Sequence, residues 1–295
     1  MIKDSICKAL ILDDRVQVIA IKSTEMVGEA IRTHNLSPVC AAALGRTLSI
    51  AAMMATDLNG EGENLSITIK GDGPIGSIVA ACDGALNVRG YVDNPQLELP
   101  LKENGKLDVS RAVGKGKITV IQDMGLKAPY VGVSDIVSGE IAEDFARYFF
   151  TSLQQPTAVA LGVLIERDLS CFSAGGVIIR FMPDCPEEAV GKAEELAAKL
   201  GEISRLMKDL SARQFIVDFF GGCGIRYTDE LFPKYRCKCG RQVTDRVILS
   251  MGREEAFKTL DEHGELAAIC HFCNKQYRYG REQVKALFDY LGGLP

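Results

Sequence analysis

The first half of the chain alternates between strand-like and helix-like hydrophobic patterning. Residues 7–12 and 16–22 are predicted strands joined by a turn, and 24–34 have the spacing of a helix. Pro38 then opens a second helix that continues to residue 56 and is apolar almost all round. Such a helix is typical of a buried core, and with Arg46 inside it the segment is not predicted to span a membrane.

From residue 65 onward come strand-like runs broken by Gly-rich turns, and residues 65–70 alternate between apolar and polar as a half-buried strand requires. Strands are predicted at 65–70, 75–82, 86–92, 117–122, 157–167 and 176–182, with one helix that starts over residues 138–141 and runs to about 153. Strand-rich and helix-rich stretches follow one another without a regular β-α-β alternation. The pattern therefore predicts an α+β N-terminal core domain at residues 1–183.

A narrow apolar stripe marks the next segment, with apolar residues recurring every three or four positions. Its members are Ala189, Ala193, Leu196, Leu200, Ile203, Met207 and Leu210. We expect residues 184–230 to form an amphipathic helical linker, which either stays on the main domain or detaches and offers its stripe to another surface. The segment 215–224 places apolar residues next to flexible glycines, and these apolar residues must be covered by other parts of the resting protein.

Composition predicts a soluble globular protein of two domains, since the chain has 295 residues, of which 47% are hydrophobic and 25% charged. The first residues lack the apolar stretch of a signal peptide, so we expect a cytoplasmic protein. In that reducing compartment the ten cysteines should be free, metal-bound or redox-active. The net charge of −5 argues against nucleic acid as the main partner.

Four cysteines near the C-terminus carry the most specific chemistry, as Cys237-Lys-Cys239 and Cys270-His-Phe-Cys273. Two thiol pairs about thirty residues apart can converge on one tetrahedral zinc ion, with all four residues as ligands. We therefore predict zinc as the cofactor and residues 231–295 as a small zinc-binding domain. A module of this size has little core, so metal should supply much of its stability. Four thiolates already satisfy zinc, and His263 and His271 are interpreted as surface residues.

The same thiols could instead form a redox switch. Nearby Arg236, Lys238 and Arg241 favour the thiolate form that oxidants attack. A disulfide within C-x-C would be strained and readily reduced. The residues alone leave a structural zinc site and a redox switch equally open.

The other six cysteines are interpreted as small buried hydrophobes, with Cys185 and Cys223 as minor redox candidates. They are Cys7, Cys40, Cys82, Cys171, Cys185 and Cys223.

Several further motifs occur along the chain in the order in which one known family has them. They are Gly71-Asp-Gly-Pro74, Val88-Arg-Gly-Tyr91, Asn94-Pro95, Tyr148-Phe-Phe, Gly175-Gly176 and the tail Cys273-Asn-Lys-Gln-Tyr277. Together with the cysteine spacing, they resemble the bacterial thirty-three-kilodalton heat-shock chaperones, a family of redox-regulated holdases. The resemblance extends over nearly the whole chain.

This resemblance implies a non-enzymatic, ATP-independent chaperone of the stress response. Its partners would be unfolded or oxidatively damaged client proteins, with neither nucleic acid nor membrane as a partner and with a homodimer expected on oxidation. It also implies that oxidation pairs Cys237 with Cys239 and Cys270 with Cys273, which releases zinc and unfolds the small domain. Apolar surface of the linker would then become available to clients.

Two other classes of function compete with the chaperone. A zinc-dependent nucleic-acid-binding protein is suggested by residues 234–281, where ten Lys/Arg stand against six Asp/Glu, and a steep salt dependence of binding would identify it. A thiol–disulfide oxidoreductase could use Cys270 and Cys273. Such enzymes place the pair at a helix start after a strand, a pattern that this sequence does not predict.

Overall fold

The computed structural model describes residues 2–60 and 62–291, and only the backbone of residues 290 and 291. The α+β class predicted from the sequence is confirmed. The chain forms two compact units, Met1–Arg236 and Cys237–Pro295. The finer division at 183/184 and 230/231 stays a prediction.

A six-stranded sheet forms one layer of the first unit, with strand order β11-β5-β4-β3-β6-β7. Its strands are β3 Asn64–Gly71, β4 Ser77–Asp83, β5 Asn87–Val92, β6 Gly116–Asp123, β7 Tyr130–Asp135 and β11 Lys234–Tyr235. Neighbours are antiparallel except β11, which pairs in parallel with β5. In β3 the alternate residues Leu65, Ile67 and Ile69 are buried, as the period-two pattern predicts.

A second, antiparallel sheet has five strands in the order β10-β1-β2-β9-β8. They are β1 Ser5–Ile11, β2 Val16–Lys22, β8 Thr157–Ile165, β9 Cys171–Phe181 and β10 Arg226–Leu231. Central strands of this sheet are buried on both faces. In β2, Ile19 and Ile21 belong to one hydrophobic core, whereas Val18 and Ala20 belong to another. This double burial explains the nearly continuous apolar run of the sequence.

The core helix between the sheets is α2 (Pro38–Met54), which contacts strands of both. Ser37 is its N-cap and Pro38 its first residue, so it begins where the sequence predicts. Helices α1 (Thr24–His34), α3 (Val109–Val113) and α4 (Ala142–Ser152) complete this layer. Within the described residues, Pro38–Asp57 is the stretch long and apolar enough to cross a membrane, but 89% of it is buried, as expected of a core helix.

Three helices cover the outer face of the five-stranded sheet: α5 (Glu187–Ala198), α6 (Ile203–Leu206) and α7 (Ala212–Phe220). The sequence predicts one continuous helix to Leu210, but α5 ends before Gly201, which favours a break. Hydrogen bonds of the tighter i→i−3 type at Lys199, Leu200 and Ile203 carry the chain across this break. The apolar stripe therefore still faces the five-stranded sheet after the break, and all seven of its members are buried or half-buried.

Over residues 237–291, the second unit has three helices and one hairpin. They are α8 Arg241–Met251, α9 Arg253–His263, β12 Leu266–Ile269, β13 Gln276–Tyr279 and α10 Arg281–Leu291. Its buried core is small and consists of Ile248, Ala256, Leu260, Leu266, Tyr277, Tyr279 and Val284. So small a core gives the second unit little stability of its own.

Candidate metal centre

The first thiol pair lies in the segment that enters the second unit. Arg236 still belongs to the six-stranded sheet, because its N–H donates to the carbonyl oxygen of Val88 at 2.8 Å. Cys237 is the next residue, and Cys239 comes just before Gly240, the N-cap of α8. Along the chain, the pair thus follows the last strand of the first unit and precedes the first helix of the second.

The second pair lies in the connection between β12 and β13, whose last paired residues are Ile269 and Gln276. The carbonyl oxygen of Cys270 accepts N–H groups from Cys273 (3.3 Å) and Asn274 (2.8 Å). Asn274 has a left-handed φ of 56°, a conformation that Asn tolerates better than most residues. This tight turn brings both thiols of C-H-F-C to one place.

The four Sγ atoms of Cys237, Cys239, Cys270 and Cys273 lie within 4.8 Å of one another. The Sγ atoms of Cys237 and Cys270 are 3.7 Å apart, and those of Cys239 and Cys273 are 3.3 Å apart. Four sulfurs placed tetrahedrally about 2.3 Å from a zinc ion would be separated by about 3.8 Å. The arrangement therefore fits a tetrahedral metal ion, and the all-thiolate donor set is the one that suits zinc.

A tyrosine contacts this thiol cluster from β13. The hydroxyl of Tyr277 lies 3.2 Å from the Sγ of Cys239, and its side chain is 7% exposed. Tyr279, two residues further along the same face, instead donates to Asp245 at 2.7 Å and contacts the Thr244 hydroxyl. The alternation of the two tyrosines in β13 was the available signal that both would point into the module.

Burial and mutual contacts separate the pKa values of the thiols. Burial raises the pKa of Cys237, and it raises the pKa of Cys273 to about 11. Burial also opposes ionisation of Cys239, but hydrogen bonds from Tyr277 and from neighbouring sulfurs outweigh it and lower the pKa of Cys239 to about 7. Holding Cys237 and Cys273 as thiolates at neutral pH thus requires a cation beside the sulfurs.

The remaining cysteines are separate from this cluster. Burial raises the pKa of Cys7 to about 11 and those of Cys82 and Cys171 to about 12, so these thiols are poor nucleophiles at neutral pH. Cys40 and Cys223 are also buried, and Cys185 is half-buried. These positions agree with their interpretation as small hydrophobes.

Comparison with known proteins identifies the family. The family model described as Hsp33 protein matches residues 4–280. The chain belongs to the Hsp33 family. A 33 kDa chaperonin of Caldanaerobacter subterraneus is 41% identical over 286 residues, which cover 96% of this chain and 97% of that protein. The 33 kDa chaperonin of Staphylococcus carnosus is 40% identical over 293 residues, or 99% of each chain.

The fold agrees with that of a solved Hsp33. The crystal structure of the Thermotoga maritima 33 kDa chaperonin, a heat-shock protein 33 homologue, superposes with a TM-score of 0.90 at 32% identity and covers 99% of each chain. The chain is therefore an Hsp33-family chaperone, and its partners are client proteins. Its C-H-F-C pair lies in a strand–turn–strand hairpin, not at the helix start that a thioredoxin-like oxidoreductase requires.

Proposed function

We propose that this chain is a redox-regulated, ATP-independent holdase that protects unfolding and oxidatively damaged proteins from aggregation. In the reduced state Cys237, Cys239, Cys270 and Cys273 hold one zinc ion, and the chaperone is inactive. Oxidation forms the Cys237–Cys239 and Cys270–Cys273 disulfides, and the module loses its metal and unfolds. The protein acts in the cytoplasm, forms a homodimer on oxidation and uses neither nucleic acid nor membrane as a partner.

The observation that carries the proposal is the convergence of four thiols in a module with little core of its own. Structural zinc in small modules contributes about 10–16 kcal/mol to folding. Among the described residues, the hydrophobic core of the second unit has seven buried side chains, which contribute far less stability than the metal would. Oxidising the ligands should therefore unfold the module, because thiol chemistry and folding share the same four residues.

The surface that becomes available to clients is, in this proposal, the apolar layer under α5–α7. Leu200, Ile203 and Met207 of the stripe are almost fully buried, as are Phe215 and Phe220 of α7. The apolar face of the five-stranded sheet packs against them. Separation of these helices from the sheet would expose both faces, and large exposed apolar patches are typical of protein-binding surfaces.

Unfolding of the zinc module can reach the helices α5–α7 along the chain. Between α7 and Cys237 lie a 3-10 turn at Gly221–Cys223 and the strands β10 and β11, which are edge strands of the two sheets. Strand β11 has two residues, and Tyr235 anchors it through a hydrogen bond from its hydroxyl to the carbonyl oxygen of Gly90 at 3.0 Å. An edge strand of two residues is easily released, so unfolding beyond Cys237 can spread back through β11 toward α7.

The test measures light scattering of a heat-unfolding client while zinc release is recorded with a chromogenic chelator. Anaerobically purified protein should contain one zinc per chain, and peroxide with mild heat should release it and suppress client aggregation together. A Cys270→Ser/Cys273→Ser variant should bind no zinc tightly. The matched control, Cys185→Ser/Cys223→Ser, should keep the whole response. Absence of zinc from the reduced protein, or equal chaperone activity before and after oxidation, would contradict the proposal.

A further inference from the structure

The contact between Tyr277 and Cys239 brings together two residues 38 positions apart in sequence. Tyr277 pairs with Ala268 across the β12–β13 hairpin, and its ring belongs to the core of the second unit. Cys239 packs against the same core. The phenol oxygen is thus fixed at 3.2 Å from the sulfur by both the hairpin and the packing.

The hydrogen bond between Tyr277 and Cys239 can run in only one direction when the thiol is a metal ligand. A metal-bound cysteine is a thiolate and can only accept, so the tyrosine O–H donates to the sulfur. Such a hydrogen bond draws electron density from the sulfur and fixes its orientation. Groups that hydrogen-bond to metal ligands tune both metal affinity and ligand reactivity.

We propose that Tyr277 is a positioning residue that protects Cys239 from oxidants and strengthens its hold on the metal. The inference rests on the proposed function, since it concerns the regulation of the same thiol site. With its sulfur restrained in this way, Cys239 reacts more slowly with peroxide than an unrestrained thiolate of the cluster would. The C-H-F-C pair therefore oxidises first, and Tyr277 sets the oxidant dose at which the C-K-C pair follows.

The oxidation that Tyr277 controls has two steps. The Cys239 thiolate attacks one oxygen of hydrogen peroxide, so that an S–O bond forms, the O–O bond breaks and hydroxide leaves. The Cys237 thiolate then attacks the oxidised sulfur, so that an S–S bond forms, the S–O bond breaks and a second hydroxide leaves. The two sulfurs give up two electrons, and both end on the oxygens of peroxide. A hydrogen bond to the Cys239 sulfur slows the first step, because it withdraws the electron pair that attacks.

The experiment compares Tyr277→Phe with Tyr279→Phe in the full-length protein. Each removes a single buried hydroxyl from β13 and keeps the ring, but only the first hydroxyl contacts a site sulfur. Zinc affinity is measured by chelator competition, and the oxidation of each cysteine under peroxide by differential alkylation and mass spectrometry. Tyr277→Phe should weaken zinc binding about tenfold and advance Cys239 in the order of oxidation. Tyr279→Phe should leave that order unchanged.

A spectroscopic readout separates this role from simple loss of stability. With Co²⁺ as the probe, Tyr277→Phe should shift the sulfur-to-cobalt charge-transfer band to longer wavelength, because one thiolate becomes richer in electrons. Tyr279→Phe should leave the band in place. Identical bands, zinc affinities and oxidation orders in the two variants would overturn the inference.

The outcome for Tyr277 is distinguishable from that of the proposed function. If Tyr277→Phe gives the expected band shift but the oxidised wild-type protein does not suppress aggregation, the role of Tyr277 stands and the holdase proposal fails. If oxidation activates the wild-type chaperone and the tyrosine variant matches wild type in every thiol readout, the holdase stands and the role of Tyr277 is wrong.

Discussion

Lys22 joins β2 to the end of α6 by donating from its Nζ to the main-chain oxygen of Met207 at 2.5 Å. It donates in the same way to the oxygen of Lys208 at 2.6 Å. Lys22 is only 2% exposed, and this burial lowers the pKa of its ammonium group. A buried ammonium on two carbonyl groups at a helix end satisfies atoms that the helix itself leaves unpaired. Lys22 therefore acts as a polar clamp on the helices that cover the sheet.

Replacing Lys22 with Met should release this clamp, because the carbonyl groups of buried Met207 and exposed Lys208 lose the ammonium as a donor while the apolar stem is kept. We expect a loss of about 2 kcal/mol in the free energy of unfolding. Urea unfolding and limited proteolysis of residues 184–224 in the reduced protein measure the effect. Lys8→Met on the adjacent strand is the control, since its 3.5 Å contact with partly exposed Asp57 should contribute less than about 1 kcal/mol. Equal proteolysis of the two variants would show that Lys22 does not hold α6.

Gly162 also helps to dock α6 on the five-stranded sheet, because the absence of a side chain lets the helix approach closely. A Cβ at this position would lie 2.8 Å from the backbone nitrogen of Ser204 and 2.9 Å from Cγ2 of Ile203, both in α6. Gly162→Ala should therefore displace α6, destabilise the protein by about 1–3 kcal/mol and give the reduced protein partial holdase activity. The control is Gly191→Ala in α5, where the added Cβ meets open space and should be neutral or slightly stabilising. Wild-type stability in Gly162→Ala would contradict this docking geometry.

The sequence predicts the regular parts of this fold because they obey simple periodicities. The core helix from Pro38 and the stripe through Leu200 and Ile203 are found where the pattern predicts them. Strand β10 was not predicted, because its residues Arg226–Leu231 are mostly polar and form an edge strand beside β1. An edge strand next to solvent needs no apolar alternation, so its pairing is decided by tertiary structure.

The site was predictable in its ligands but not in its surroundings. Close thiol pairs at metal-ligand spacing are a local signal, and the structure brings all four sulfurs together. The contact of Tyr277 with Cys239 depends on how the hairpin packs in the module, which spacing does not reveal. Burial of Lys22 is likewise a tertiary effect, since lysine is rarely buried and its position at a strand end predicts exposure.

Asp4 should give the stability of the first unit a distinct dependence on pH. Its carboxylate accepts N–H groups of Glu25 (3.0 Å) and Met26 (2.7 Å) at the start of α1. Burial outweighs these hydrogen bonds and raises the pKa of Asp4 to about 6, against 3.8 in the unfolded chain. The folded state therefore binds the proton more tightly. The stability gained from this protonation is fully present below about pH 4 and is lost as the pH rises through about 6.

Asp4→Asn removes this titration and keeps a hydrogen-bond acceptor. From pH 4 to pH 7, the wild-type protein should lose about 2 kcal/mol of unfolding free energy relative to the variant. Urea unfolding of both proteins at several pH values provides the measurement, and the difference between them cancels groups that both share, including the thiol site. A difference that stays constant with pH would show that Asp4 is ionised throughout this range.

The four site cysteines can form disulfides within each pair or across the two pairs. In the folded module the sulfurs of Cys239 and Cys273 are 3.3 Å apart and those of Cys237 and Cys270 are 3.7 Å apart, so links across the two pairs need little movement. Once the module unfolds, a link across the pairs must close a loop of about thirty residues, which is entropically less favourable than a turn within one pair. The disulfides formed therefore report whether the module was folded when it was oxidised.

We expect peroxide with mild heat to give Cys270–Cys273 first and Cys237–Cys239 second, because C-H-F-C closes with less strain than C-K-C. Peptide mapping under non-reducing conditions identifies the links, and samples taken during zinc release give their order. As a control, oxidation in the cold with the module still folded should yield less of both links within the pairs. If links across the pairs, Cys237–Cys270 or Cys239–Cys273, dominate after heating, the module stays folded on oxidation and an unfolding switch is the wrong mechanism.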